Sequence, residues 1–225
     1  MGKLILKSIL GLAFLMLIMA GALFVSAGSL NFWQAWVYLA VFMLCTLFIT
    51  VYLITYDEKL LARRIKAGPV AETQRRQQLI QSLASLFFIG LFIVAGLDHR
   101  FQWSEVPLAV SAISNLFVAL GFLIVFLVFR ENSYTSAIIE VSNEQKVIAS
   151  GPYSMVRHPM YAGASLLLIF SPLALGSWVA LPFALPLILV IVTRLREEER
   201  YLLVNLSSYE AYRQSVRYRL VPFIW

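Results

Sequence analysis

Four long apolar stretches constrain the fold of this chain more than any other feature of its sequence. They cover approximately residues 4–30, 32–55, 83–97 and 106–129, and the single charge within them is Lys7, close to the start of the first stretch. A helix needs about 20 mostly apolar residues to cross a hydrocarbon core of about 30 Å. We therefore interpret each stretch as a membrane-spanning helix.

The composition supports a membrane protein. Of the 225 residues, 60% are hydrophobic and 13% are charged, whereas globular proteins contain about 45–50% apolar and about 25% charged residues. A soluble fold of this size could not cover so much apolar surface, and the same numbers argue against disordered, collagen-like and coiled-coil chains. The single cysteine, Cys45, excludes an intrachain disulfide.

The first stretch resembles a signal peptide in its basic start and its small residues near Ala20 to Ala27. Its apolar part is nevertheless longer than the ~7–15 residues of a cleaved signal. We interpret it as a retained anchor.

A fifth apolar region, residues 161–193, is too long for one span and is interrupted by Pro172, Gly176, Pro182 and Pro186. It predicts a helical hairpin with its turn near residues 172–177. The expected fold is therefore all-α: a polytopic integral membrane protein with four spanning helices and a C-terminal helical hairpin, which makes five to six membrane segments. We divide it into transmembrane helices, 1–129, and a region that carries the chemistry, 130–225.

The basic residues predict the orientation. With four spans and a returning hairpin, nearly all of them lie on one side of the membrane, and Arg100 alone lies on the other. The positive-inside rule makes the basic side cytoplasmic. The net charge of +6 then serves topology and contact with headgroups, so we expect no nucleic-acid partner. The charged loop 57–81 is expected to be part helical; its Lys and Arg face headgroups in one interpretation, and a solvated connector is the favoured one. The compact chain without a targeting signal favours a bacterial inner membrane.

Several chemistries lack their usual motifs. The two histidines, His99 and His158, are assigned to opposite sides, and no Cys or His cluster is present, so we expect no metal. Motifs for a P-loop, a Rossmann site or a nucleophilic serine elbow are also missing. The polar residues instead concentrate in the two cytosolic segments that flank the hairpin, 130–161 and 194–225, and a closed hairpin brings these segments together.

The first flanking segment predicts a helix that starts at Pro159, with His158 at or near its cap. The free N–H groups of such a start favour a carboxylate or another anionic group. In the second segment, Arg194 and Glu198 are spaced i,i+4 and share one helix face. The simpler alternatives are interfacial anchors in the first segment and solvated ion pairs in the second. Three adjacent glutamates beside a bilayer fit a cationic ligand better than membrane anchoring.

The chain carries Gly-Pro-Tyr at 151–153, Arg-His-Pro-Met-Tyr-Ala-Gly at 157–163, an apolar hairpin, Glu-Glu at 198–199, and then Tyr209 and Tyr212. In this order, the motifs resemble those of the isoprenylcysteine carboxyl methyltransferase family and the related phospholipid methyltransferases. The resemblance covers roughly residues 130–222. It implies an integral-membrane methyltransferase that uses S-adenosyl-L-methionine without a Rossmann domain.

The resemblance also implies site residues. Arg194 and Glu198 correspond to the catalytic positions, with Arg194 on the substrate side. The cofactor-binding positions are Gln145, Lys146, Val147, Ile148, Tyr153, His158, Pro159, Met160, Tyr161, Glu198 and Glu199. The sequence departs from the family where Leu206, Ser207 and Ser208 replace a Phe-Gly before Tyr209, which leaves the register of Glu197, Glu198 and Glu199 open by one residue.

The expected reaction is methyl transfer to a lipophilic acceptor that enters from the bilayer, with the carboxylate of a prenylcysteine-like molecule favoured. A carboxylate could pair with Arg194, whereas an amine acceptor, as in phospholipid N-methylation, would need a proton acceptor such as a glutamate or His158. A transporter and a non-catalytic membrane scaffold remain alternatives. Neither of them has a reason to bind the methyl donor.

Overall fold

The computed structural model describes residues 2–65, 75–135 and 146–225, with Arg76 given by its backbone alone. All regular elements in these ranges are helical, which confirms the all-α prediction. The α-helices are α1 Gly2–Ala27, α2 Trp33–Tyr56, α3 Glu58–Ile65, α4 Arg75–Phe101, α5 Leu108–Glu131, α6 Pro159–Ala174, α7 Ala184–Asn205 and α8 Tyr209–Ser215. Short 3₁₀ turns lie at Gly151–Ser154 and Leu181–Phe183.

Four of these helices are long and apolar enough to cross a membrane, namely α1, α2, α4 and α5. This confirms the four predicted spans. The third begins at Arg75, before the apolar stretch itself, because polar residues continue the helix. One of them, Gln77, is 3% exposed and donates a hydrogen bond to Glu197 of α7. The polar start of α4 therefore packs against the C-terminal half of α7.

The predicted hairpin is formed by α6 and α7, and its turn lies somewhat later than the sequence indicated. Pro172 is inside α6 rather than in the turn. The helix tolerates this proline because the backbone bonds continue around it, from the Leu175 N–H to Ser171 and from the Ser177 N–H to Pro172, each 2.9–3.0 Å. Gly176, with φ of +79°, then ends the helical path, as glycine commonly does at a helix C-terminus.

The turn of the hairpin reaches the connection between α4 and α5. Asp98 is 1% exposed and accepts hydrogen bonds from the backbone and hydroxyl of Ser104, at 2.8 and 2.6 Å, and from the hydroxyl of Ser177. Trp178 donates its indole N–H to the carbonyl of Glu105 at 3.1 Å. The turn of the hairpin therefore lies at the level of the C-terminal end of α4 and the N-terminal end of α5.

Helices α5 and α6 pack most closely, through two facing glycines. A Cβ atom on Gly121 would lie 2.7 Å from the carbonyl oxygen of Gly163, and a Cβ on Gly163 would lie 2.7 Å from that of Gly121. Such distances leave no room for a side chain, so this is a small-residue contact of the kind that membrane helices use. Gly163 of the sequence motif is thus a packing residue that fixes α6 against α5.

This contact also recesses the start of α6. From the glycine contact, α5 continues 10 residues to Glu131, whereas α6 begins only 4 residues before Gly163. At 1.5 Å per residue the start of α6 therefore lies about 9 Å below the end of α5. The recess provides the space for a polar cleft.

Candidate functional site

A cleft of about 870 Å³, including its open mouth, occupies the recess above α6. Its walls come from the end of α5, the segment 146–161, α7 and the start of α8. The lining residues are Asn132, Tyr134, Thr135, Lys146, Val147, Ile148, Tyr153, Arg157, His158, Pro159, Met160, Tyr161, Arg194, Glu198, Leu202, Leu206, Tyr209 and Tyr212.

The start of α6 forms the floor of the cleft. Pro159 occupies the first helical position and His158 the N-cap, and the His158 side chain makes no capping hydrogen bond. The backbone N–H groups of Arg157 and His158 instead donate to the carbonyls of Tyr218 and Arg219, at 2.9 and 3.0 Å. The C-terminal segment therefore holds the Arg-His-Pro motif in place through its backbone.

Glu199 connects this motif to α7 and to the C-terminal segment. Its carboxylate lies 3.1 Å from Nη1 of Arg157, 2.9 Å from Nε of Arg219 and 3.4 Å from Nε2 of His158. Burial alone would raise the pKa of Glu199, but the hydrogen bonds from His158 and Arg219 and the charge of Arg157 outweigh it and lower the pKa to about 2. The carboxylate is therefore ionised and engaged within the protein.

Glu198, one residue earlier, faces the cleft. Its Oε2 accepts a hydrogen bond from the hydroxyl of Tyr161 at 2.7 Å, and the same tyrosine hydrogen-bonds the side chain of Arg194. Arg194 also lines the cleft, one helical turn from Glu198. Tyr161 thus joins the two residues expected to carry the chemistry.

The three adjacent glutamates point in different directions because successive residues of a helix are rotated by about 100°. Glu197 meets Gln77 of α4, Glu198 lines the cleft, and Glu199 lies behind the cleft among Arg157, His158 and Arg219. The geometry therefore favours Glu198 as the glutamate available to a ligand.

Tyrosines form the opposite wall. The Tyr153 hydroxyl accepts a hydrogen bond from Asn132 at 3.0 Å, and the Tyr212 hydroxyl donates to the backbone carbonyl of Tyr153 at 2.8 Å. The Tyr209 hydroxyl is buried and has no hydrogen-bond partner among the described residues. Burial raises the pKa of all three phenols, so they are protonated and able to donate. A buried polar group without a partner costs free energy. A ligand that accepts a hydrogen bond from the Tyr209 hydroxyl would remove this cost.

Most of the site residues expected from the sequence come together here. Ten of them line the cleft: Lys146, Val147, Ile148, Tyr153, His158, Pro159, Met160, Tyr161, Arg194 and Glu198. Gln145 lies outside the described residues, and Glu199 stands behind the wall.

Other lining residues were not singled out from the sequence as site residues. Asn132, Tyr134 and Thr135 follow the end of α5, and Leu202, Leu206, Tyr209 and Tyr212 come from α7, α8 and the turn between them. Tyr209 and Tyr212 belong to the motifs that carry the family resemblance, whereas the residues after α5 have no local pattern that marks them. Arg219 was likewise missed as a partner of Glu199.

A second, largely apolar groove of about 1,410 Å³ lies between α1, α4 and α7. Its walls include Phe14 and Ile18 of α1, Phe88 of α4 and Leu187 of α7. Arg194 lines both this groove and the polar cleft. Arg194 therefore contributes to the walls of both the polar cleft and the apolar groove.

These features define an integral membrane protein with an open polar cleft at one end of its helices. The family model described as phospholipid methyltransferase matches residues 110–208, from the start of α5 to the residue before α8. This part of the chain is therefore similar to the phospholipid methyltransferase family, whose model also covers the proteins similar to isoprenylcysteine carboxyl methyltransferases. The resemblance found in the sequence is thereby confirmed, and the family indicates a methyltransferase.

No curated protein sequence gives a significant match to the chain. In the ranges that the structure describes, no group of three His, Cys, Asp or Glu side chains is placed to hold a metal ion.

Proposed function

We propose that the protein is a membrane-embedded methyltransferase that uses S-adenosyl-L-methionine to methylate a lipophilic acceptor. One observation carries the proposal: Arg194, which the motif resemblance assigns to the substrate side, lines both the polar cleft and the apolar groove. A water-soluble donor and a lipid acceptor would then meet at one residue. We place this site on the cytoplasmic side of a bacterial inner membrane, following the positive-inside rule.

The cleft offers groups that match the parts of the donor. Glu198 can accept hydrogen bonds from amino or ribose groups, and the apolar and tyrosine walls can face the adenine. The N-terminus of α6 and Lys146 can meet the donor carboxylate. The Tyr209 hydroxyl supplies a further buried donor. The residues present therefore fit S-adenosylmethionine, which supplies a methyl group on a positively charged sulfur.

The acceptor favoured by the groove is a lipid-like molecule with a carboxylate, such as a prenylcysteine. Its apolar part would lie among α1, α4 and α7, and Arg194 could bind the carboxylate bidentately. One carboxylate oxygen forms the new C–O bond as the donor C–S bond breaks and the electron pair goes to sulfur. The two opposite charges cancel, so no residue needs to take up a proton, and the protein contributes alignment and exclusion of water.

The matched family description favours a second candidate, methylation of a phospholipid amine. A neutral amine nitrogen would form a C–N bond and then lose a proton, so a nearby base is required. Glu198, held by Tyr161 at 2.7 Å, is the candidate base. Glu198 would thus only bind the donor in the first reaction, whereas it would also accept a proton in the second.

We keep the division into membrane helices, 1–129, and a catalytic region, 130–225, with one addition. The apolar groove is built partly by α1 and α4. These N-terminal helices would therefore contribute to acceptor binding as well as to anchoring.

Donor binding is tested by the thermal stability of the detergent-purified protein with and without S-adenosylmethionine. A ligand that binds only the folded state at a hundredfold excess over Kd stabilises it by about 2.7 kcal/mol. We expect a rise in Tm for the wild type and a smaller one for His158→Ala. Absence of a rise at millimolar donor in folded wild-type protein would contradict the proposal and favour a scaffold or a transporter.

The acceptor class is tested by transfer of a labelled methyl group in membranes. A carboxyl methyl ester releases its label as methanol in mild base, whereas an N-methyl group keeps it. We expect base-labile label in the lipid extract, with Arg194→Ala and Glu198→Gln reducing its amount at least tenfold. Unchanged turnover and donor affinity in both variants would show that these side chains do not form the site.

A further inference from the structure

The loop 220–225 exposes large apolar side chains beside the hairpin. Val221, Phe223 and Ile224 are 46%, 86% and 79% exposed. Phe223 keeps this exposure although its ring lies 5.5 Å from that of Tyr218. Neighbouring apolar side chains are rarely left in contact with water, and such patches mark a contact with a partner or a membrane.

The base of the loop lies at the depth of the membrane helices. Leu220 is buried in one apolar cluster with Tyr161 of α6 and with Ile191 and Leu195 of α7. Tyr161 belongs to the first turn of α6, which begins about 9 Å below the end of α5. Because α5 is long and apolar enough to cross a membrane, the loop starts deeper than the level at which this spanning helix ends.

Trp225 lies between arginines at the other end of the loop. The centre of its ring is 5.4 Å from the guanidinium carbon of Arg219 and 6.0 Å from that of Arg196, and the residue also packs against the apolar cluster that contains Leu220. Tryptophan between apolar and polar neighbours is typical of the membrane–water interface. Arginines at that level are attracted by anionic headgroups. Trp225 therefore fits the boundary between headgroups and acyl chains.

The backbone of the loop is suited to leaving water. Leu220 and Val221 donate their N–H groups to the carbonyl of Trp225 at 2.9 and 3.0 Å, and Ile224 and Trp225 donate theirs to the carbonyl of Val221 at 3.2 and 3.1 Å. Pro222 has no N–H. Backbone groups that enter a membrane need partners within the protein, and these bonds supply them inside the loop itself.

We propose that the loop 220–225 is an interfacial anchor, which inserts Phe223 and Ile224 into the leaflet nearest the cleft and holds Trp225 among the headgroups. The partner is a lipid surface, because the loop lies beside membrane helices and is flanked by cations. Interfacial segments bury their apolar side chains about 5–10 Å into the boundary between headgroups and acyl chains. We expect the same depth for this loop.

The anchor would also position the cleft relative to the bilayer. Arg219, which directly precedes the loop, accepts a hydrogen bond from the His158 N–H at 3.0 Å through its carbonyl and binds Glu199 through Nε at 2.9 Å. A loop fixed at the interface would therefore keep the floor of the cleft at a constant depth. This anchoring does not require methyl transfer, so it goes beyond the proposed function.

Fluorescence quenching in nanodiscs tests the anchor. Ile224→Cys in a Cys45→Ala background is labelled with the environment-sensitive dye NBD, and single copies are placed in nanodiscs of phosphatidylcholine and phosphatidylglycerol, whose two faces are both open to the solution. We expect quenching by phosphatidylcholine that carries a nitroxide near the start of its acyl chain. Quenching by aqueous iodide should be lost.

Ser215→Cys, labelled in the same way, is the matched control. Ser215 is exposed at the end of α8, so its dye should be quenched by iodide and not by the lipid nitroxide. Phe223→Ser, added to the labelled Ile224→Cys protein, should restore quenching by iodide because it removes the larger apolar side chain of the tip. Phe223→Leu should keep the protection.

Equal quenching by iodide at positions 224 and 215 would overturn the proposal, since the loop would then lie in water. Protection from iodide without quenching by the lipid nitroxide would overturn it as well, because a protein surface would then cover the tip. Unchanged protection in Phe223→Ser would show that Phe223 does not hold the loop in the leaflet. Donor binding plays no part in these measurements, so the proposed function and the anchor can fail independently.

Discussion

A single hydroxyl provides the most direct probe of the cleft. The Tyr209 hydroxyl has no hydrogen-bond partner among the described residues, so Tyr209→Phe removes no contact that the structure shows. We predict that this variant keeps the stability of the free protein and loses about fivefold to tenfold in donor affinity, as expected for one lost hydrogen bond. Calorimetric titration with S-adenosylmethionine measures the affinity.

Tyr212→Phe is the matched control for Tyr209→Phe. The Tyr212 hydroxyl donates to the Tyr153 carbonyl at 2.8 Å, so its loss should destabilise the free protein by about 1 kcal/mol. Unchanged donor affinity in Tyr209→Phe would show that this hydroxyl does not face the donor.

The buried carboxylate of Glu199 predicts a pH dependence of stability. Its pKa is lowered from 4.5 to about 2 in the folded protein, so the unfolded state binds more protons between these values. The stabilisation, about 3 kcal/mol, is present above about pH 5 and is lost as the pH falls toward 2. Unfolding midpoints of the wild type and Glu199→Gln in detergent should therefore differ at pH 6 and converge at low pH.

The control for this pH dependence is Glu210→Gln. The Glu210 side chain is 47% exposed and pairs with Arg213 on the same helix, so its removal should leave the pH profile of the wild type unchanged. Parallel profiles of Glu199→Gln and the wild type would contradict the assigned role of Glu199.

At the scale of helices, the contact between α5 and α6 predicts a strong effect of one added methyl group. A Cβ on Gly163 would meet the Gly121 backbone at 2.7 Å, so Gly163→Ala must separate the helices and widen the recess above α6. We expect a loss of at least about 2 kcal/mol in stability, in the range of overpacked cores, together with weaker donor binding.

Gly11→Ala in α1 is the control for this contact. A Cβ added at Gly11 meets nothing within 4 Å, so the change should be neutral or slightly stabilising, because alanine favours helix more than glycine does. Comparable loss in both variants would show that the glycine contact is not special.

Hydropathy and motif order predicted the helices well, because a membrane span has a strong local pattern. The pattern failed where tertiary contacts decide. Pro172 remains in α6 because its neighbours continue the backbone hydrogen bonds, and α4 extends to Arg75 because Gln77 finds a partner on α7. Neither the hydrogen bonds near Pro172 nor the contact of Gln77 with α7 can be read from the local sequence.

In the candidate site, too, local motifs could be predicted from the sequence and tertiary contacts could not. The site residues from Tyr153 to Tyr161 were identified because their motif resembles that of a known family, and only the helix start at Pro159 was predicted from local chemistry. Arg64 was placed in a loop that faces either solvent or headgroups, whereas its Nη1 lies 3.7 Å from Sδ of Met160. A basic residue in a loop has the same local pattern whether it faces water, lipid or the protein. Glu198 and Glu199 were separated only when the rotation of α7 was known.

At the scale of the whole molecule, the distribution of basic residues predicts that the cleft and the start of α1 lie on the cytoplasmic side. In a Cys45→Ala background, a cysteine at Ser29 should react with a membrane-impermeant maleimide added to intact cells. A cysteine at Ser215 should react only after the membrane is permeabilised. Both positions are exposed, so the reverse pattern of labelling would invert the orientation.

The backbone bonds from Arg157 and His158 to Tyr218 and Arg219 have a consequence for biosynthesis. The floor of the cleft is completed by residues made about 60 positions after the motif that they hold, with the whole hairpin in between. Under the proposed function, the nascent chain would therefore insert all its membrane helices before it could hold the donor. Binding competence would begin only when the ribosome has finished the final segment, so an incompletely translated chain would reside in the membrane without consuming the cell's methyl donor.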